Sequence, residues 1–293
     1  MKKINPLELF LWTFRRNEKD VVNLYNSLSN LMKLSTGGDM LNFGYWDDTT
    51  KTLLEAQKNM CKIFAQKARL QSNQHIIDVG SGIGSPAIQW YYEYDPVELT
   101  CVNINFGQLQ DSITNISKTI DMTRNNVGAK NFHLLNATAT LLPFENETVD
   151  RVLALESVQH FKPLKSFISD SYRILKKNGI LALAIPVMVE KFSVPIIKLG
   201  MLSMVWFSEH YDIGFVKSLL KQEGFHNVDL QKIGSNVYEP LAKFYIENRA
   251  SLKTRILKQY PSYVEKILFK SIIKMNKVSK KNIIDYILIT CQK

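Results

Sequence analysis

Three glycines at alternate positions, Gly80, Gly82 and Gly84, follow Asp78 in the stretch "IIDVGSGIGSPAIQW", Ile76 to Trp90. Without Cβ atoms such a bend can be tight, and a small ligand can come close to the main chain. A helix starting behind the bend adds unpaired N–H groups and the positive end of its dipole. Asp78, Gly80, Ser81 and Gly82 are therefore candidates for holding a charged small molecule. Proton transfer is the second chemistry on offer. His160 follows the apolar run "DRVLAL" by five residues, with Glu156 and Ser157 in between. An ordinary imidazole titrates near pH ~6.5 and accepts a proton at neutral pH. His160 is the first candidate base, and Glu156 a candidate hydrogen-bonding partner of the reactants. His75 opens a strand-like run, His133 lies inside one and His226 precedes one, so these three are less well placed; His210 is the second candidate. Neither a Ser-His-Asp arrangement nor a metal-ligand cluster is legible, and no metal site is expected.

These residues need a scaffold that gathers strand ends. "HIIDV", "VELTCVNI", "NFHLL", "DRVLAL", "GILALAIP", "VDLQKI" and "IIDYILITC" read as strands. Residues 85–92, 108–125, 164–176 and 211–223 read as helices between them, and "GILALAIP" is expected to begin after a turn "KKNG". Residues 1–35 and 49–69 read as N-terminal helices, and 240–278 as two or three more. The alternation implies an α/β fold: a Rossmann-like, doubly wound, mostly parallel seven-stranded sheet with a helical cap. Ligands on such sheets bind at the carboxyl ends of the strands. Four regions are expected: 1–70, N-terminal helices with an aromatic loop; 71–190, a ligand-binding core; 191–282, a lid segment, the sixth strand and a basic cap; 283–293, the last strand.

Two ligands suit the glycine bend. A dinucleotide asks for G-x-G-x-x-G and an acid near the end of the second strand, but Ser85 and Asn103 stand at those places. The other is S-adenosyl-L-methionine. The order of motifs favours it, because the chain resembles the class I S-adenosylmethionine-dependent methyltransferases. Within them it is similar to the small-molecule branch that includes sterol, tocopherol and natural-product enzymes, over about residues 20–235 and the final strand. "DVGSGIG" resembles the first motif of that family, "VNINFGQ" its ribose motif and "NATATLLPFENETVD" its adenine loop. "LESVQHF", "YRILKKNGILALA" and "NFGYW" resemble the segment after the fourth strand, the run into the fifth, and the aromatic loop over the cofactor. The resemblance implies cofactor contacts at Asn103, Ile104, Gln108, Asn136, Ala137 and Leu155, with Tyr25, Tyr45 and Trp46 beside it. Asn103 and Asn136 stand where an acid is usual, and an amide oxygen still accepts a hydrogen bond without the added strength of charge.

The acceptor is hinted at by "FSVPIIKLGMLSMVWF", Phe192 to Phe207. It is shorter than the ~20 apolar residues of a membrane span. It reads as an apolar lid over a lipophilic or isoprenoid-like small molecule. Charge is uneven: residues 241–293 carry net +9 and residues 1–240 only +1. Lys266, Lys270, Lys274 and Lys277 fall on one helical arc and Val264, Leu268, Ile272 and Met275 on the other. Segment 260–281 could thus lie on an anionic membrane or be a solvated face packed on the domain. Two further readings stay open. An RNA methyltransferase would use the basic region, although "LESV" lacks the Pro-Pro motif of amino-methylating nucleic-acid enzymes. A non-catalytic module would keep the fold and bind cofactor only. Three dispersed cysteines and an N-terminus interrupted by Glu8 and Arg15-Arg16 point to a cytoplasmic protein, peripheral at most on a membrane.

Overall fold

The computed structural model describes residues 17–36, 40–123, 131–189 and 211–293. In chain order the elements are α1 (Glu18–Thr36), α2 (Leu53–Lys67), β1 (His75–Val79), α3 (Ser85–Tyr94), β2 (Glu98–Val102), α4 (Phe106–Thr123), β3 (Phe132–Leu135) and β4 (Val149–Leu155). Then come α5 (Leu164–Ile174), β5 (Leu175–Met188), α6 (Ile213–Gln222), β6 (His226–Lys232), α7 (Gly234–Glu247), α8 (Arg249–Leu257), α9 (Ser262–Ser279) and β7 (Ile284–Gln292).

The seven strands form one sheet in the order β3-β2-β1-β4-β5-β7-β6. β1 pairs in parallel with both β2 and β4, β2 with β3, and β4 with β5. Strand order reverses between β1 and β4, and such a switch point opens a crevice at the carboxyl ends. The last four residues of β1 and of β4 and the last ten of β5 are all buried, as expected for strands covered on both faces.

The fifth strand departs from expectation. The helix stops at Ile174, and β5 already begins at Leu175 instead of after "KKNG". Its register against β4 moves from Val149↔Leu175 to Arg151↔Ile180, so Lys176 to Gly179 are accommodated in a bulge with Asn178 at φ 66°. Lys176 is drawn to Asp150 at 2.9 Å, which holds the bulge to β4.

Two compact units divide the chain: residues 1–59, 186–213 and 232–286, and residues 60–185, 214–231 and 287–293. The second holds nearly all of the sheet and its flanking helices. Trp90 of α3 is fully buried there, its ring tilted against that of Phe64 (5.6 Å between centres), and its indole N–H donates to the Cys61 carbonyl at 3.0 Å. The first unit is mainly helical. Leu24 and Leu31 of α1 pack with Ile256, Tyr260 and Val264. The apolar side of α9 is spent in that unit: Val264, Ile272, Met275 and Val278 are all buried. Among the described residues no helix is long and apolar enough to cross a membrane. The expected lid at 192–207, His210 and the first sixteen residues lie outside the described residues.

Candidate active site

The bend after β1 is closed onto β2. Gly80 N–H donates to the Val102 carbonyl at 2.7 Å, and Gly84 N–H to the Ser81 carbonyl at 3.0 Å. Gly80 and Gly84 have φ of 76° and 77°, in the left-handed region where a side chain is disfavoured. Space adds a second demand. A Cβ on Gly80 would collide with Ser157, and one on Gly84 would lie 2.9 Å from Ser112 Oγ of α4. Asp78 is 2% exposed, and burial pushes its carboxyl up to about 7. The buried Cys101 thiol is pushed up too, by burial first and then by the Asp78 charge.

At the end of β2, Asn103 is buried and knits the bend together. Its Nδ2 donates to the Gly82 carbonyl and to Gln108 Oε1, both at 3.0 Å, while its Oδ1 accepts the Asn105 N–H at 3.0 Å. Ile104 is half-buried beside it. Asn136 follows β3. Its Nδ2 donates to the Asn103 and Ile104 carbonyls at 2.8 and 3.0 Å, which leaves its Oδ1 as the acceptor end of an exposed amide. An aspartate has no hydrogen to give those two carbonyls, which is a physical reason for an amide here. Ala137 is half-buried next to it.

The loop after β4 supplies the third side. Leu155 ends the strand, 9% exposed. Glu156 adopts φ 55°, and its N–H donates to the Ala184 carbonyl at 2.8 Å. Ser157 Oγ donates to the Val79 carbonyl at 2.6 Å, so this loop is fastened to the glycine bend. A single 3-10 turn, Val158–His160, then brings His160 to the same edge, half-buried.

Hydrogen bonds therefore link the segments 78–84, 103–108, 136 and 155–160 at the carboxyl ends of four parallel strands. Tyr25, Tyr45 and Trp46 belong to the first unit. There Trp46 is 8% exposed and packs near Phe244 (5.4 Å); its N–H donates to the Asn236 carbonyl at 2.9 Å and its carbonyl accepts from Asn236 Nδ2 at 3.0 Å. Tyr45 N–H donates to the Ala56 carbonyl at 2.8 Å, and Tyr25 is half-buried on α1. His75 and His133 face Glu98 at 3.4 and 3.7 Å, and His75 opens β1, away from its carboxyl end; His226 is exposed at the start of β6. No group of three or more His, Cys, Asp or Glu among the described residues could hold a metal ion.

Two supporting residues escape sequence reading. Arg173 of α5 donates to the Phe144 and Leu142 carbonyls at 2.7 and 2.8 Å, and its ion-pair partner Asp170 accepts the Leu142 N–H at 2.7 Å. They fix the course of the loop after Asn136. The partners are main-chain atoms, so side-chain patterns give no signal for them.

The methyltransferase domain family matches residues 77–183, the stretch that runs from the bend through β5. Residues 77–183 are similar to that methyltransferase domain family. S-adenosylmethionine is the cofactor of this methyltransferase family. The chain is 27% identical over 173 residues to erythromycin 3''-O-methyltransferase of Saccharopolyspora erythraea, a match covering 59% of this chain and 54% of that protein. It thus spans about half the length of that relative. An O-methyltransferase of Aspergillus sclerotiorum is 23% identical over 252 residues, covering 83% of this chain and 89% of its own. Among solved structures, the cyclopropane synthase MmaA2 of Mycobacterium tuberculosis superposes with a TM-score of 0.79 at 18% identity, covering 96% of this chain and 100% of that one. That likeness extends the fold of the methyltransferase domain over nearly the whole chain.

Proposed function

We propose that the protein transfers the methyl group of S-adenosylmethionine to an oxygen of a small, lipophilic acceptor, with His160 taking up the proton. The observation that carries this reading is the fastening of a glycine bend and its buried acid to the loop that ends in His160. The residues present fit the cofactor. Gly80 leaves bare main chain where a Cβ has no room. Asp78 is a buried carboxyl raised to about 7, which a cationic ligand would satisfy. In this reading Asp78, Gly80, Ser81 and Gly82 hold the amino acid part. Asn103, Ile104 and Gln108 hold the ribose, Asn136 and Ala137 the adenine edge, and Leu155 forms a wall. The roles of Tyr25, Tyr45 and Trp46 rest on the resemblance alone.

The bound cofactor supplies an electrophilic methyl carbon on a sulfonium. The chain must align an acceptor behind that carbon, and alignment is worth about 7–11 kcal/mol in favourable cases. It must also remove a proton from the acceptor hydroxyl as its oxygen is methylated, the task given to His160. Glu156, whose backbone is held in an unusual conformation, is assigned to hydrogen-bond the reactants. The O-methyltransferase names of the sequence relatives support an oxygen acceptor. The cyclopropane synthase of the same fold supports a carbon acceptor as the second reading, since fold does not fix the reaction. The apolar segment 192–207 supports a lipophilic molecule in either case.

His160→Ala is expected to lower turnover by about 10²–10⁴-fold with cofactor affinity unchanged. The assay follows methyl-labelled cofactor incubated with a lipid extract, with label counted in the organic phase. Turnover near wild type removes the base role. Cofactor binding without any transfer favours a binding module instead.

A further inference from the structure

We infer that helices α8 and α9 form a docking surface for membranes carrying anionic phospholipid headgroups. It rests on the lipophilic-acceptor reading only for its purpose, delivery of an acceptor that resides in a bilayer. The surface itself stands on charge and packing within the first unit. Residues 249–281 contain ten lysines and arginines and a single acid, Glu265. That acid does nothing to neutralise the outside, because it is fully buried and paired with Arg249 at 2.9 Å. Lys266, Lys270 and Lys277 are exposed along α9, and Lys274 is half-buried between them. Their spacing puts all four on an arc about 80° wide and about 16 Å long. Lys253 and Arg255 are exposed on α8, the helix that packs beside α9, and Lys258 is exposed just past its end.

The opposite, apolar side of α9 is buried in the unit, so the helix is not free to turn it toward lipid. Binding is therefore electrostatic, with the helix lying as a rigid cationic face. One exposed apolar side chain sits among the charges: Leu257, 38% exposed, between Arg255 and Lys258. Such a residue suits the headgroup boundary of a bilayer. A single strand of RNA would ask instead for exposed aromatic rings on which to stack bases. Here Tyr260 is buried and Phe269 is covered by the Arg249 guanidinium, 3.5 Å from its ring centre.

The full-length chain should sediment with vesicles of phosphatidylcholine containing phosphatidylserine and not with phosphatidylcholine alone, and raised salt should release it. Each lysine near such a surface is worth about fivefold in partitioning, so the triple variant Lys266→Gln/Lys270→Gln/Lys277→Gln should lose about 100-fold. The matching triple Lys→Arg variant should keep binding. Heat of S-adenosylmethionine binding, unchanged in both variants, verifies the fold and tests the cofactor site independently, so failure here and failure of the methyltransferase reading are told apart. Equal partitioning onto neutral vesicles, or an unaltered Lys→Gln variant, overturns the inference. Tighter retention of single-stranded RNA than of anionic vesicles at the same salt also overturns it and assigns the surface to nucleic acid.

Discussion

Asp78 is expected to couple the site to pH. Its carboxyl is raised from the usual 3.8 to about 7 because it is buried. The folded chain therefore holds a proton that the unfolded chain releases between those values. The stability this group contributes is complete below about pH 4, falls as pH rises, and is gone above about pH 7, a difference of about 4 kcal/mol. A ligand bearing an ammonium and a sulfonium favours the ionised acid. Cofactor affinity is thus expected to rise about tenfold per pH unit up to about pH 7 and then level off, with one proton released per molecule bound at the acid end. Calorimetry in buffers of different ionisation heat measures both. The profile of Asp78→Asn should be flat, and a flat profile in the wild type would show that Asp78 does not meet the cation. The other residue-scale lesson is Asn136. The sequence marks it as a departure from an acid, yet its two donors to the Asn103 and Ile104 carbonyls are visible only once β2 and β3 lie side by side.

At the scale of elements, the bend after β1 and the loop after β4 act as one piece. Gly80→Ala is expected to abolish cofactor binding, from a strained φ and the collision with Ser157. Ser157→Gly should restore part of the loss, and a double-mutant cycle in a cofactor titration reads the coupling. No restoration would locate the damage in the backbone conformation alone. In the first unit, Arg249→Ala strands Glu265, a fully buried carboxylate, and should lower the midpoint of denaturant unfolding. Arg249→Met/Glu265→Leu should recover most of the loss. Most of the elements were legible because strands buried on both faces read as apolar runs and the glycines mark the bend. Their limits were set by bonds the pattern does not carry. The "KKNG" turn became a bulge in which Lys176 meets Asp150 on β4, and the Arg173 clamp grips main-chain carbonyls. Glu265 reads as one more surface acid in a basic helix, and only the packing of α7 through α9 shows it fully buried.

Across the whole molecule, chemistry and charge are separated along the chain. The stretch 77–183, which matches the methyltransferase domain family, holds the bend, the amides and His160, while the excess of positive charge lies after residue 240. The sequence showed both, because motif order and charge counting need no long-range contact. It left open whether the apolar side of α9 is free, which depends on partners far away in the chain such as Leu24 and Leu31. Main chain between Asp78 and Ser85 is proposed to receive a sulfonium cofactor. Isothermal calorimetry of the folded, purified protein with S-adenosylmethionine, its demethylated product and a nicotinamide dinucleotide tests it most directly. The expected result is saturable heat at one site for the first two and none for the third. Heat from the nicotinamide dinucleotide with none from the other two would contradict it.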